Sequence, residues 1–127
     1  MNFSQDTDEI STNIHSYTDE YLVINQHKYD CHCQLHRSGL VEPWQPSDSS
    51  NLNLSDFQKL IDCRPDVVIF GSGNKLSFPN NELRRQFNQL NIGFEVMDTG
   101  AACRTYNILL SEGRDVAAAI LLQSTEI

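Results

Sequence analysis

Three short stretches of this 127-residue sequence carry residue types and spacings that could do chemistry. The first is Cys31-His32-Cys33, with His27 and His36 nearby, a donor set that could suggest a soft metal ion. On an extended strand, however, side chains alternate, so Cys31 and Cys33 face one side while His32 and His36 face the other. Structural zinc sites also place about two to four residues between paired cysteines and draw a second pair from elsewhere. The stretch therefore reads as ordinary strand thiols, and neither a metal nor a cofactor is expected. The second stretch is Gly71-Ser72-Gly73. Glycines after a strand let a backbone nest approach an anion. Yet the third glycine of a dinucleotide fingerprint is missing, as is the Gly-Lys-Ser/Thr of a phosphate loop, and a tight turn needing positive φ is the plainer account.

The third stretch runs from Asp98, Thr99 and Gly100 to Cys103 and Arg104, where a strand hands over to a helix. A helix starting there points unpaired amides and about half a positive charge toward the strand ends. Gly100 leaves room for a ligand, and the planar fork of Arg104 suits carboxylate or phosphate. Gly71, Ser72, Gly73, Asp98, Thr99, Gly100, Cys103 and Arg104 are accordingly the candidate ligand-binding residues of a weak anion-accepting cleft. Asp98 works against it, because its carboxylate caps the same amides. Cys103 beside small alanines is most simply a packed thiol. Arg104, Tyr106 and Asn107 are either hydrogen-bonded anchors or cleft lining. No set of acid, base and nucleophile stands out, so no catalytic residue is assigned.

The elements that must position these residues follow from the pattern around them. Residues 1–16 are polar, acidic and without periodicity, which predicts a flexible arm with order beginning near Tyr17. The apolar run from Tyr21 to Ile24, a turn at Asn25-Gln26-His27 and an extended stretch from Lys28 to His36 predict a hairpin closed by Ser38-Gly39. Pro43, Pro46 and the polar stretch from Ser47 to Asn53 predict the longest internal loop, with Trp44 as a hydrophobic plug. Ser55 and Gln58 fit a capping box opening a helix that ends near Cys63, before Pro65. Asp66 to Phe70 is a continuous apolar run, as expected of a strand covered on both faces. Pro79-Asn80 opens a helix with Leu83, Phe87 and Leu90 on one face and Gly93 at its end. Phe94 to Met97 is a strand, Asp98 or Thr99 caps a helix whose Ala102, Tyr106 and Leu109 share a face before Gly113, and Val116 to Leu122 is the last strand. The order hairpin, helix, strand, helix, strand, helix, strand calls for an α/β domain over 17–122 with helices packed on a largely parallel or mixed sheet. Residues 123–127 read as a frayed tail.

Composition narrows the function classes. Seventeen Asp and Glu against nine Lys and Arg give a formal charge of −8, which argues against a nucleic-acid partner, since phosphate backbones are bound through clustered cations. Met1 to Glu20 holds five acids and no Lys or Arg, unlike a secretory signal, and no run approaches the roughly 20 apolar residues of a membrane span. The expected compartment is the cytoplasm. Four cysteines, irregularly placed, read as free thiols.

One longer pattern is specific. Pro65-Asp66-Val67-Val68-Ile69-Phe70-Gly71-Ser72-Gly73 is followed by Glu95 to Asn107, which includes Met97-Asp98-Thr99-Gly100-Ala101-Ala102-Cys103-Arg104, and then by Glu112-Gly113-Arg114 and Ala117-Ala118-Ala119. This resembles the conserved family of unknown function that includes small bacterial and archaeal proteins, the mitochondrial assembly factor of respiratory complex I and the adipogenesis-associated protein. The resemblance covers roughly residues 17–122. It implies three layers around a mixed five-stranded sheet and supplies no catalytic residues, and Cys31-His32-Cys33 lies outside its pattern. The expected function is that of a non-enzymatic binding or assembly domain with a protein partner or self-association. The alternative is an anionic small-molecule site or enzyme at the strand ends near Asp98 to Arg104.

Overall fold

In the computed structural model, residues 11–122 are described. The chain opens with three short strands, β1 (Ile14–Tyr17), β2 (Leu22–Ile24) and β3 (His27–Tyr29), which pair antiparallel in that order. Asn25 and Gln26 form the β2–β3 turn with φ of 51° and 71°. Positive φ at both positions matches the right-handed twist of the flanking strands. A second hairpin, β4 (Cys33–His36) and β5 (Leu40–Pro43), leads into a 3-10 turn (Leu54–Phe57) and α1 (Gln58–Asp62). Then follow β6 (Val67–Gly71), α2 (Asn81–Gln89), β7 (Gly93–Met97), α3 (Thr99–Ser111) and β8 (Val116–Ile120). The central sheet has the order β5-β4-β8-β6-β7, with β4 antiparallel to β5 and β8, and β6 parallel to β8 and β7. This is the mixed five-stranded sheet expected from the sequence.

Period-two alternation divides the core into two layers. Cys33, Leu35, Val67, Ile69, Val116, Ala118 and Ile120 meet α3 and the small sheet on one face. Val68, Phe70, Ala117 and Ala119 meet the 3-10 turn, α1 and α2 on the other. The two small alanines of β8 leave room there for a cluster of rings, in which Phe57 lies 5.3–6.2 Å from Trp44, Phe70, Phe87 and Phe94, centroid to centroid. Trp44 is the expected plug. It is 3% exposed, and its indole Nε1 donates to the Asp56 carbonyl at 2.7 Å.

Several local expectations are corrected. The extended stretch 28–36 is broken between β3 and β4, which lie in different sheets, so the antiparallel pair of the central sheet is β4–β5. Strand β5 occupies a segment with no strand expected. Pro43 is tolerated because β5 is an edge strand, where a missing N–H breaks no ladder. The helical segment opens at Asn53, whose amide donates to the Asp56 carboxylate at 2.8 Å, rather than at Ser55 and Gln58. Leu90 lies past the end of α2 and is exposed, and the left-handed residue there is Asn91, not Gly93. Order begins before Tyr17: Thr12 and Ile14 are 2% and 3% exposed, so the described part of the expected arm, residues 11–16, packs on the domain. The expectations for residues 1–10 and for the tail 123–127 lie outside the described residues.

Candidate functional site

The register of the central sheet sets Pro43, Cys33, Ile120, Gly71 and Met97 in one row across one edge. The residues just beyond this row, Trp44, His32, Leu121, Ser72 and Asp98, therefore converge at the carboxyl ends of the parallel strands. Of the sequence-derived candidates, the structure brings Gly71, Ser72 and Gly73 against Asp98, Thr99 and Gly100. The contact is a mutual one. Thr99 donates its amide to the Gly73 carbonyl at 2.8 Å, and its hydroxyl accepts from the Gly73 amide at 2.9 Å and donates to the Leu121 carbonyl. The Ser72 amide is taken by the Met97 carbonyl at 2.9 Å, and the Ala101 amide by the Asp98 carboxylate at 2.9 Å. Asp98 is thus the helix cap, and the amides that could cradle an anion are largely occupied by the chain itself.

The two glycines of this turn serve different needs. Gly73 has φ of +105°, which a side chain would strain. Gly71 has no such conformation; a Cβ there would stand 3.0 Å from Thr99 Oγ1, 3.1 Å from Ala102 and 3.2 Å from Ile120, so its bareness lets α3 close onto β6.

Cys103 is wholly buried on the inner face of α3, with its thiol pushed up to about 12 by burial, partly offset by the Arg104 charge. It packs with Cys33, whose thiol burial pushes up further. Arg104 lies on the exposed face of α3 and donates to the Tyr17 hydroxyl at 2.7 Å. Tyr106 and Asn107 are anchors: the buried Tyr106 hydroxyl lies 2.6 Å from the Thr12 hydroxyl, and the Asn107 amide accepts from the Ile14 N–H at 2.8 Å and donates to its carbonyl at 2.9 Å. Arg104, Tyr106 and Asn107 thus tie the first strand, and Thr12 just before it, to α3. Among the described residues, no three His, Cys, Asp or Glu side chains come together as a metal site.

The open space at this edge begins at the turn itself, whose Ser72 and Gly73 line it, and extends toward β4 and β8. A groove of about 970 Å³ is walled by the loop following Trp44, by Ser72 to Lys75 and Ser77 to Pro79, by Asp30 to His32, and by Leu121 and Leu122. That volume is at the upper end of the roughly 300–1,000 Å³ typical of ligand sites. Ser72 shapes one wall, its hydroxyl donating to the Lys75 carbonyl at 2.7 Å and accepting from the Ser77 amide at 3.0 Å. Phe78, which lines the groove, and Leu76 in the same loop are 66% and 55% exposed. Of the sequence-derived candidates, Ser72 and Gly73 line this groove, and so does His32, which the sequence reading weighed only as a metal ligand; Lys75 and the acids of the groove were not among them. The nearest signals in the sequence were Trp44 and the long polar loop after it.

His32 has a defined state here. Its Nδ1 accepts from the Leu122 amide at 3.0 Å, and burial lowers its pKa from the ordinary 6.5, so it sits neutral. In the unfolded chain the ring regains its ordinary affinity, so between the two values the unfolded state binds more protons and stability rises with pH. The stabilisation is complete above 6.5 and is lost as pH falls through and below that value. Urea midpoints measured at pH 5 and pH 7.5 are expected to be lower at the acid end, with the gap narrowed in His32→Gln.

At the opposite edge, His36, weighed in the sequence only as a metal donor, joins Ser38 and Asp115. His36 Nδ1 accepts from the Ser38 amide at 3.1 Å and lies 2.9 Å from its hydroxyl, while Nε2 meets Asp115 at 2.6 Å. With Nδ1 taken by a backbone donor, the ring clamps the β4–β5 turn to the start of β8.

Known proteins share this framework. A solution NMR structure of a Xanthomonas campestris protein superposes with a TM-score of 0.83 at 27% identity, covering 100% of this chain and 96% of that one. A crystal structure from Bordetella parapertussis gives 0.80 at 32% identity over 87% of this chain and 94% of that one. The NADH dehydrogenase [ubiquinone] 1 alpha subcomplex assembly factor 3 of Rattus norvegicus is 28% identical over 110 residues, 85% of this chain and 59% of that protein. The chain thus spans about three-fifths of the length of that relative. With residues 14–121 matched by the family model, from the first strand to the end of the last, the chain belongs to the family described as Protein of unknown function (DUF498/DUF598).

Proposed function

We propose that this chain is a protein-binding domain of assembly type that engages its partner at the groove on the carboxyl edge of β6 and β8. The observation that carries this reading is the groove itself, lined by Phe78 and with Leu76 in the same loop, two large apolar side chains more than half exposed. Exposed apolar groups beside a concave polar surface are the usual mark of a contact region. The naming of a mammalian relative as an assembly factor supports it. The four cysteines, free in the structure, fit a reducing compartment, and the cytoplasm is the proposed one. Among the described residues, no helix is long and apolar enough to cross a membrane.

The test is photo-cross-linking in the native cell extract from probes at positions 47 and 75 in the groove and at 112 on the opposite edge. Adducts to a protein partner are expected from the first two and not from the third. Equal labelling from all three, or none, would count against the reading.

A second reading keeps Gly71, Ser72, Gly73, Asp98, Thr99, Gly100, Cys103 and Arg104 as the region of a small anionic ligand. What favours it is the exposed Arg104 guanidinium, whose Nη1 lies 3.4 Å from where a side chain on Gly100 would begin. Titration with phosphate, sulfate and small carboxylates should then move the Gly73, Thr99 and Gly100 amide resonances at millimolar concentration.

A further inference from the structure

The charges around the groove have one predominant sign. Glu20, Asp30 and Asp48 stand on its walls, all exposed, against the single ammonium of Lys75. Asp48 accepts from the Ser50 hydroxyl at 2.6 Å and its amide at 3.0 Å, bonds that hold its carboxyl below the ordinary range and keep it ionised. Beneath the carboxylates the floor is apolar, formed by Trp44, Phe70 and Leu122. An apolar floor under an acidic rim suits one kind of side chain in particular. Lys and Arg lay their methylene stems along apolar surface while the charged head reaches a carboxylate. The formal charge of −8 on the whole chain adds a long-range attraction of the same sign.

Resting on the protein-binding reading, we infer that the occupant of this groove is an extended segment of a partner protein bearing Lys or Arg residues, with their stems over Trp44 and Leu122 and their charges at Glu20, Asp30 and Asp48. An anionic ligand is disfavoured here by the same three carboxylates. Complementarity of this kind sets partner choice and on-rate more than it sets affinity.

The probe is a fluorescein-labelled hexapeptide alternating lysine and leucine, compared with its glutamate-leucine counterpart by anisotropy on the full chain. The lysine peptide is expected to bind and the glutamate peptide not to. The double variant Glu20→Lys, Asp30→Lys should weaken binding about tenfold, because two attractive exposed contacts become repulsive. The double variant Glu95→Lys, Glu112→Lys makes the same change in net charge at exposed sites outside the groove. At 0.15 M salt, where the Debye length is about 8 Å, it should leave binding within about twofold. Melting temperatures of both variants control for folding. Equal losses in the two variants, equal binding of the two peptides, or no binding of the lysine peptide at millimolar concentration overturns the inference. Should a partner cross-link at positions 47 and 75 yet resist competition by the lysine peptide, the basic segment is wrong and the protein-binding reading stands. Absence of any cross-linked protein sinks the protein-binding reading, whatever the peptide does.

Discussion

Replacing Phe57 by alanine is expected to lower the folding free energy by about 3–5 kcal/mol, the range for deleting a fully buried aromatic ring. The ring is 0% exposed and contacts four others, with centroid distances of 5.3 Å to Trp44, 5.4 Å to Phe87, 5.6 Å to Phe94 and 6.2 Å to Phe70. Its surroundings are rigid, because it shares one packed cluster with Ala117 and Ala119 of the central strand and with Leu83 and Phe87 of α2. The neighbours cannot collapse into the space without moving a strand, so most of the cavity should persist. Domains of this kind are stable by roughly 5–15 kcal/mol, and the change would remove a large part of that margin. Urea denaturation would measure it. Phe57→Leu, which retains much of the volume, should lose only about 1–2 kcal/mol. An alanine variant within about 1 kcal/mol of the parent would mean that the rings repack, and that the cluster is not the rigid half of the core.

Removing residues 1–17 is expected to destabilise the domain by more than about 3 kcal/mol, although nothing in that segment's composition suggests it. The loss has three sources. Ile14 is 3% exposed and gives up about 2–3 kcal/mol of burial. The Tyr106 hydroxyl, buried on α3, loses Thr12 and becomes an unsatisfied group costing about 1–3 kcal/mol. Strand β2 loses β1, one of its two partners, which exposes the side of α3 that Asn107 now ties to Ile14 through both backbone groups. The single substitution Asn107→Leu isolates the last term and should destabilise by about 1–3 kcal/mol, since it strands the Ile14 amide and carbonyl. Thermal melting of the truncated chain and of Asn107→Leu would check both. A truncated chain that melts with the parent would show that the first strand rests on the domain without supporting it.

Much of the framework was legible in the sequence because it is locally determined. The apolar run at Val67 to Phe70 read as a doubly covered strand, Asn80 and either Asp98 or Thr99 as the openings of the helices that follow, and Gly71-Ser72-Gly73 as a turn with positive φ, which the structure places at Gly73. Each of these depends on neighbours within a few positions, so local chemistry suffices. What the sequence left open depended on partners far along the chain. Whether residues 28–36 form one strand or two, and whether Leu40 to Pro43 is loop or sheet edge, is decided by the pairing of β4 with β8, some eighty residues away. The polar residues Arg104, Tyr106 and Asn107 read equally well as anchors or as cleft lining until Tyr17, Thr12 and Ile14 were seen to meet them. The same holds for the site. Composition fixed the sign of the chain's charge, but only the fold gathers Glu20, Asp30 and Asp48 around one groove, while the Gly73 amide is taken by Thr99. Side chains dispersed along the chain share no periodicity that could be read in advance; their convergence follows from strand order, which long-range packing selects.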